Sequence, residues 1–502
     1  MVNIAADVWA QADAGPDRIA IRSPRQITFA ELRATNQQVA GAVRAAGVQP
    51  LDRVLFIAPS IPEFPEIYYG LHAAGVTVIT MNVMSTPDEV AYVVDDAGVS
   101  LVVAWHACSA AAEQVAAARG IECWRVDEDT TYDAATPLAE AHDHDRDDTA
   151  IILYTSGTTG RPKGAELTAG NLVDTVQSFL PVLNLDPDDR FGTALPLFHV
   201  YGQCVCMNTT LSTGASFSLL SPFEPTQMLE LMKQDRLTTL AGVPTMWNAM
   251  LHVEGDFEPA DFEQLRLATS GGASLPVEVI RAFQDRFSCS ILEGYGLTES
   301  TGAATFNDIN REQRTGTVGP ALPGSTLEIR DPEGQVLPAG KAGEVFITGP
   351  TIMKGYWNRP EATAADLVDG WLKTGDIGTL DADGYLSIVD RVKDLIIRGG
   401  YNVYPREIEE VLYEHPDIVE VAVVGVPDAH YGEEIAAVVV LEPGSATDGD
   451  AIRAWAKERL SAYKVPRLYS FVPELPKGAT GKILKRAIDR ESLRKPVSAS
   501  AG

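Results

Sequence analysis

Residues 53–82 read RVLFIAPSIPEFPEIYYGLHAAGVTVITMN. The first eight, RVLFIAPS (53–60), form an apolar run of strand length. PEFPEIYYGLHAAG (62–75) has a helical character and stops at Gly75, and VTVITMN (76–82) is a second apolar run. Strand, helix and strand in that order, with Val/Ile-rich strands, predict parallel pairing beneath covering helices. The pattern recurs at SLVVAW (100–105) and TAIILYTS (149–156). The expected fold class is therefore α/β, built on mainly parallel sheets.

Working outward, the character changes at about residue 320. GSTLEIRDPEGQVLPAGKAGEVFITGP places turn signals at 331–334 and 338–340 between short alternating strands, and a further turn signal falls at 381–384. These predict a small β-subdomain of hairpins over about 320–390. Beyond Arg391 the pattern is mixed: a helix over 407–418, strands over 419–428 and 433–444, and a helix over 451–460. That fits a separate α+β domain of about 110 residues. The tail RKPVSASAG carries little that could be buried.

Composition narrows the function classes. Across 502 residues, 69 Asp and Glu face 40 Lys and Arg, a net charge of −29. Such a surface repels nucleic acid and anionic membranes, so neither is an expected partner. Cys108, Cys123, Cys204, Cys206 and Cys289 form no CxxC pair, and their odd number fits a reducing compartment, with each thiol read as a small buried apolar group. The N-terminus lacks the basic start and apolar core of a secretory signal, and no apolar run approaches the ~20 residues of a membrane span. A cytoplasmic protein is expected, and the sequence leaves a homodimer open.

The chemistry concentrates in a few stretches. Tyr154-Thr155-Ser156-Gly157-Thr158-Thr159-Gly160-Arg161-Pro162-Lys163-Gly164 follows a buried strand. Its glycines allow inward-pointing amides, and its hydroxyls and Lys163 can hold phosphate oxygens. It lacks the GxxxxGK[ST] spacing, which disfavours a P-loop ATPase. Glu293-Gly294-Tyr295-Gly296-Leu297-Thr298-Glu299-Ser300 offers close backbone approach, an aromatic face, a hydroxyl donor at Thr298 and a hard oxygen ligand for Mg²⁺ at Glu299. Thr374-Gly375-Asp376 precedes Arg391 by fifteen residues, counted from Asp376, and Asp376 can accept ribose hydroxyls. Pro476-Lys477-Gly478-Ala479-Thr480-Gly481-Lys482 carries long cations on a loop.

In this order, these stretches resemble the adenylate-forming superfamily of acyl- and aryl-CoA synthetases, luciferases and peptide-synthetase adenylation domains. The resemblance spans nearly the whole chain and is closest to medium- or long-chain fatty-acyl-CoA and aryl-CoA ligases. It implies a large N-terminal domain (1–391) of two mainly parallel α/β sheets plus the β-subdomain, and a smaller mobile α+β C-terminal domain (393–502) hinged at Lys393. It also implies ATP-dependent activation of a carboxylic acid as acyl-AMP, with pyrophosphate release, followed by transfer to coenzyme A. Thr155, Ser156, Gly157, Thr158, Thr159 and Lys163 would hold phosphates, while Gly271, Gly272 and Ala273 with Glu293, Gly294, Tyr295 and Gly296 would wall the adenine. Asp376 and Arg391 would hold the ribose, Glu299 the Mg²⁺, and Lys482 would complete adenylation beside Thr298. Gly399, Gly400 and Tyr401 would enter the site for the thioester step. Asp390 is read as structural, and Lys477 and Lys485 as solvated.

The acid itself is expected near Pro196–Gly202, with His199, Val200, Gly202, Val243 and Pro244 as contacts. Amino-acid-activating relatives carry an Asp where this chain has His199, so an acid without an α-amine is favoured. Thr245, Met246, Met207 and Trp247 suit a fatty or aryl tail, though each could equally be core. Two other outcomes share the motifs: a ligase loading a carrier-protein phosphopantetheine, and a luciferase-like oxygenase.

Overall fold

The computed structural model describes residues 2–132, 135–155, 161–255, 257–391, 393–399, 401–428, 430–478 and 481–494. Two large sheets form the first part of the chain. One runs in the order Gly355–Tyr356, Lys163–Thr168, Thr149–Thr155, Thr77–Thr80, Arg53–Ile57, Val99–Trp105, Glu122–Val126. From Thr149–Thr155 onward its neighbours are parallel, while Lys163–Thr168 and Gly355–Tyr356 add antiparallel edges. The second runs Thr305–Phe306, Ile291–Tyr295, Leu267–Ser270, Thr239–Gly242, Arg190–Thr193, Ser216–Leu219, Ile19–Ser23, Ile27–Thr28, parallel except at its two ends.

The quoted opening stretch folds as its pattern requires. Strand Arg53–Ile57 and strand Thr77–Thr80 flank helix Glu63–Ala73, and every residue from Phe64 to Ala73 is buried. The helix is buried nearly all round because it lies between the sheets. One core joins Val54, Phe56 and Ile151 of one sheet to Ile21, Phe191 and Phe217 of the other, through helices Ile4–Ala14, Phe29–Ala45 and Glu63–Ala73.

Hairpins Thr326–Arg330/Gly343–Thr348 and Trp371–Leu380/Leu386–Arg391 form the antiparallel subdomain. Their turns close where predicted: the Gly334 amide donates to the Asp331 carbonyl (2.9 Å) and the Gly384 amide to the Asp381 carbonyl (3.2 Å). The C-terminal sheet pairs Ile418–Asp428 with Gly432–Leu441, which carries Leu468–Phe471 and Ile396–Arg398 along its other edge. Helices Pro405–Tyr413 and Gly449–Arg459 cover it, with Ile396, Ile408, Val421, Val439 and Ile452 in a core of their own.

One element differs from the sequence reading. The helix expected over 407–418 ends at Tyr413, because Pro416 disfavours helix at the residue before it and removes a donor. The glycine-rich stretch leads, by way of a strand, to a helix beginning beside Thr168. Strand Lys163–Thr168 comes first, and Thr168 then caps helix Ala169–Leu183 with a reciprocal Thr168/Asn171 box. Cys204 and Cys206 lie on a π-helical turn, Tyr201–Met207, and are buried with Cys289, whereas Cys108 and Cys123 are only partly covered. Among the described residues no helix is long and apolar enough to cross a membrane. The tail RKPVSASAG lies almost wholly outside the described residues.

Candidate active site

The carboxyl ends of the parallel strands converge on one cavity of about 720 Å³. Thr155, Ser270 and Tyr295 end three of these strands and all line it. This is where open α/β sheets present ligand sites. The antiparallel subdomain supplies Asp376 and Arg391 from one side, and the C-terminal domain supplies Lys393 and Lys482.

The ends of the glycine-rich stretch face each other, since Thr155 and Lys163 are cross-strand partners. Ser156, Gly157, Thr158 and Thr159, expected on phosphates, lie outside the described residues. Gly294, Tyr295, Gly296, Thr298 and Glu299 all reach the cavity wall, as do Gly271 and Gly272. Gly296 is required by space: a Cβ there would sit 2.4 Å from the Gly302 backbone. Ala273 and Pro244 instead line an adjoining cleft, about 710 Å³, that runs between the two domains past Gly481 and Lys482.

Glu293, expected as an adenine-wall residue, lines neither space. Its carboxyl is buried, accepts the Leu275 amide at 3.1 Å, and is pushed up to about 7, chiefly by burial. Its carbonyl accepts the Asn307 amide. Glu293 therefore braces the strand rather than meeting ligand.

Asp376 and Arg391 stand fifteen residues apart because they are opposite one another across the hairpin that turns at 381–384. Arg391 Nε lies 3.1 Å from Asp376 Oδ1, and the Tyr295 phenol donates to Oδ2 at 2.6 Å. Asp376 is 3% exposed, so a well-oriented acceptor is held at the cavity edge. Asp390 is structural: its oxygens accept the backbone amides of Arg391 (2.7 Å) and Arg406 (3.0 Å).

The Lys482 loop is pinned at both scales. Gly478 donates to the Lys482 carbonyl at 2.8 Å, and the Thr245 hydroxyl, from the large domain, donates to the Gly481 carbonyl at 3.0 Å. Lys482 shares the cavity with Arg391 and Lys393. Burial first, and then Arg391, draws its ammonium down to about 8, against the opposing pull of Asp376. The protonated form is the one that the adenylation role expected of Lys482 requires, and it is lost as pH rises through that value. Acyl-adenylate formation in the free enzyme should therefore be insensitive to this group below about pH 8 and fall about tenfold per unit well above it. A kcat/KM profile of pyrophosphate release checks this; Lys482→Arg, whose charge persists, should remove the fall.

Lys477 is exposed, as expected, whereas Lys485 is largely covered. Each is 2.7 Å from a carboxylate, Glu420 and Glu409 respectively, so both tie the loop to its own domain. Gly399 and Tyr401 lie away from the cavity, with the Gly399 amide on the Tyr431 carbonyl (2.8 Å) and Tyr401 stacked on Tyr463. Gly400 is outside the described residues.

The apolar arm of the cavity is built from Val200, Gly202, Val205 and Cys206 around the π-helical turn, with Phe179, Leu183 and Phe306 beyond. His199 and Val243 line it as expected. Burial and the nearby Lys482 ammonium hold the His199 imidazole down to about 4, so it is neutral at pH 7. Met207, Met246 and Trp247 are core, and Thr245 serves the Lys482 loop. The sequence reading missed Phe179 and Leu183 of one helix, Phe191 and Phe306, which no motif joins, and it missed Tyr356 and Asp366, which also line the cavity.

The site suits Mg²⁺. Glu299 offers a carboxylate on the cavity wall, one oxygen of which accepts the Tyr356 phenol at 2.9 Å. Among the described residues no three His, Cys, Asp or Glu side chains gather into a metal cage. Mg²⁺ needs none, since it commonly takes one or two carboxylates with phosphate and water.

Sheets, subdomain and a lysine delivered from a second domain define an adenylate-forming enzyme. The family model described as AMP-binding enzyme matches residues 8–357, and AMP-binding enzyme C-terminal domain matches residues 407–482. The chain belongs to the AMP-binding enzyme family. It is 37% identical over 465 residues to a feruloyl-CoA synthase of an Amycolatopsis species, covering 92% of this chain and 94% of that one. It is 34% identical over 517 residues to a long-chain-fatty-acid–CoA ligase of Bacillus subtilis, covering 95% and 92%. ATP-bound MatB from Rhodopseudomonas palustris superposes with a TM-score of 0.92 at 35% identity, covering 98% of each chain.

Proposed function

We propose that this enzyme is an AMP-forming acid–CoA ligase, using ATP, Mg²⁺ and coenzyme A, for an acid with an uncharged fatty or aryl tail. The observation that carries the reading is the meeting of Lys482 with Thr298, Glu299, Asp376 and Arg391 around one cavity whose far arm is apolar. A substrate carboxylate oxygen attacks the α-phosphorus of ATP, a new P–O bond forms, and the bond to pyrophosphate breaks. Lys482 and Thr298 stabilise the charge moving onto phosphate oxygens, and Asp376 with Arg391 orients the ribose. Glu299 would hold Mg²⁺, which supplies further positive charge there.

In the second step the CoA thiolate attacks the acyl carbon and AMP leaves. Lys393 lies between the last strand of one sheet, ending at Arg391, and the first of the next, beginning at Ile396, which supports a hinge there. Ile397 and Tyr401 are 54% and 60% exposed, unusual for apolar hairpin residues, and this supports a second arrangement in which the hairpin with Gly399 and Gly400 enters the site. In the present arrangement Lys482 faces the cavity and the hairpin does not, which suits the first step.

The named activities of the feruloyl and long-chain relatives support an apolar tail. So does the arm itself: among the described residues, the side chains beyond His199 include no Lys or Arg, and His199 is neutral. A carboxylate or sulfonate at the tail would be buried unpaired. A panel of acids, followed by pyrophosphate release with and without CoA, tests this. Medium- and long-chain or aryl monocarboxylates should exceed dicarboxylates and sulfonated acids by at least about a hundredfold in kcat/KM. Faster turnover of a dianionic acid would overturn the tail assignment, and pyrophosphate release without any thioester would move the acceptor from CoA to a carrier protein. Residence in the cytoplasm and assembly as a homodimer belong to the same reading, the second checked by light scattering.

A further inference from the structure

On the wall of the same cavity, four side chains join through one phenol. Lys163 Nζ is 3.2 Å from Asp366 Oδ2 and lies 4.1 Å from the centre of the Tyr356 ring. The Tyr356 hydroxyl is 2.9 Å from Glu299 Oε1 and 3.1 Å from Asp366 Oδ2. All four line the cavity.

The backbone holds this cluster in register. Residues 353–366 lie across strand Lys163–Thr168 like a strap. The Met353 amide donates to the Glu299 carbonyl at 2.9 Å, and the Trp357 amide to the Gly164 carbonyl at 2.8 Å. Tyr356 pairs with Ala165 across the strands, and Asp366 closes the short helix Pro360–Asp366. The strap thus fixes Tyr356 and Asp366 against the two residues expected to meet the phosphates and the Mg²⁺.

A phenol has one proton and can serve one of two carboxylates well at a time. The carboxylate with less compensating positive charge is the stronger acceptor. While Lys163 neutralises Asp366, the proton favours Glu299. When Lys163 turns to a phosphate, Asp366 loses its cation and draws the phenol, and Glu299 Oε1 is released. We propose that Tyr356 and Asp366 are positioning residues that pass the arrival of polyphosphate at Lys163 to Glu299, freeing that carboxylate to bind a divalent cation. This rests on the function proposed above.

The test is a binding measurement. Mn²⁺, standing in for Mg²⁺, is titrated by electron paramagnetic resonance into enzyme saturated with α,β-methylene-ATP, in the native chain, Asp366→Asn, Tyr356→Phe and the double variant. Asp366→Asn should leave the phenol on Glu299 and weaken cation binding about tenfold. In the Tyr356→Phe background the same substitution should change it less than twofold. Equal weakening in both backgrounds would mean that Asp366 acts only through space, and would overturn the relay. No weakening in either would overturn it too. Thioester formation from supplied acyl-adenylate, which uses no pyrophosphate site, should persist in all variants and shows that they are folded. A native enzyme that releases no pyrophosphate with any acid would instead sink the proposed function.

Discussion

Lys482→Ala should lower acyl-adenylate formation by about 10²–10³-fold, while thioester formation from supplied acyl-adenylate and CoA stays within about threefold of the native rate. The asymmetry follows from where negative charge moves. During the first step charge builds on the α-phosphate and on departing pyrophosphate, and a half-buried ammonium beside Arg391 acts on it in a low-dielectric space. During the second step pyrophosphate is gone and the leaving group is AMP. The Lys482 loop is held to the large domain by the Thr245–Gly481 hydrogen bond, so its contribution belongs to the arrangement that makes that contact. Single-turnover assays of the two half-reactions separate these effects. Equal losses in both would mean that one arrangement performs both steps. A folded variant with native adenylation would remove Lys482 from the chemistry altogether.

How much of this was legible in the sequence depends on how each feature is encoded. The sheets were legible because fully buried parallel strands are written as continuous apolar runs, as at 53–60 and 76–82. The β-subdomain was legible through its turns at Asp331 and Asp381. The pairing of Asp376 with Arg391 was nearly explicit, since one hairpin separates them. The apolar arm was not. Phe179 comes from a helix, Val205 from a π-helical turn and Phe306 from an edge strand, and only tertiary packing brings them together. Whether Met207 and Trp247 were core or tail contacts stayed open for the same reason, because sequence alone does not say which side of an element faces a cavity, and the structure places both in the core. Glu293 sits in a motif yet is buried, because its carboxylate is taken up by the Leu275 amide, a partner eighteen residues away that no motif announces. The ion pairs of Lys477 and Lys485 were not legible, because their partners, Glu420 and Glu409, lie more than fifty residues away.

The second large effect is expected at Asp376. Asp376→Ala should raise the KM for ATP by about a hundredfold, since hydrogen bonds to a charged group contribute about 1.5–3 kcal/mol each and the carboxylate can accept two ribose hydroxyls. The fold adds a second penalty. Asp376 is 3% exposed and accepts the Tyr295 phenol at 2.6 Å, while Arg391 leans on its other oxygen at 3.1 Å. Removing the carboxylate therefore leaves a half-buried hydroxyl without its acceptor and frees Arg391 beside Lys393 and Lys482, where three cations would then face one another. That repulsion should draw the Lys482 ammonium further down, so the alkaline fall in adenylation should begin at lower pH in Asp376→Ala than in the native enzyme. Asp376→Asn retains an acceptor oxygen and loses the charge, so it should fall between the two. A merely structural Asp376 would lower the melting temperature and leave nucleotide choice untouched. A ribose-holding one makes a different demand: the native enzyme should prefer ATP over 2′-deoxy-ATP, and Asp376→Asn should narrow that preference. If the preference is unchanged in Asp376→Asn while the enzyme remains folded, the carboxylate does not meet the sugar, and Arg391 must be reassigned with it.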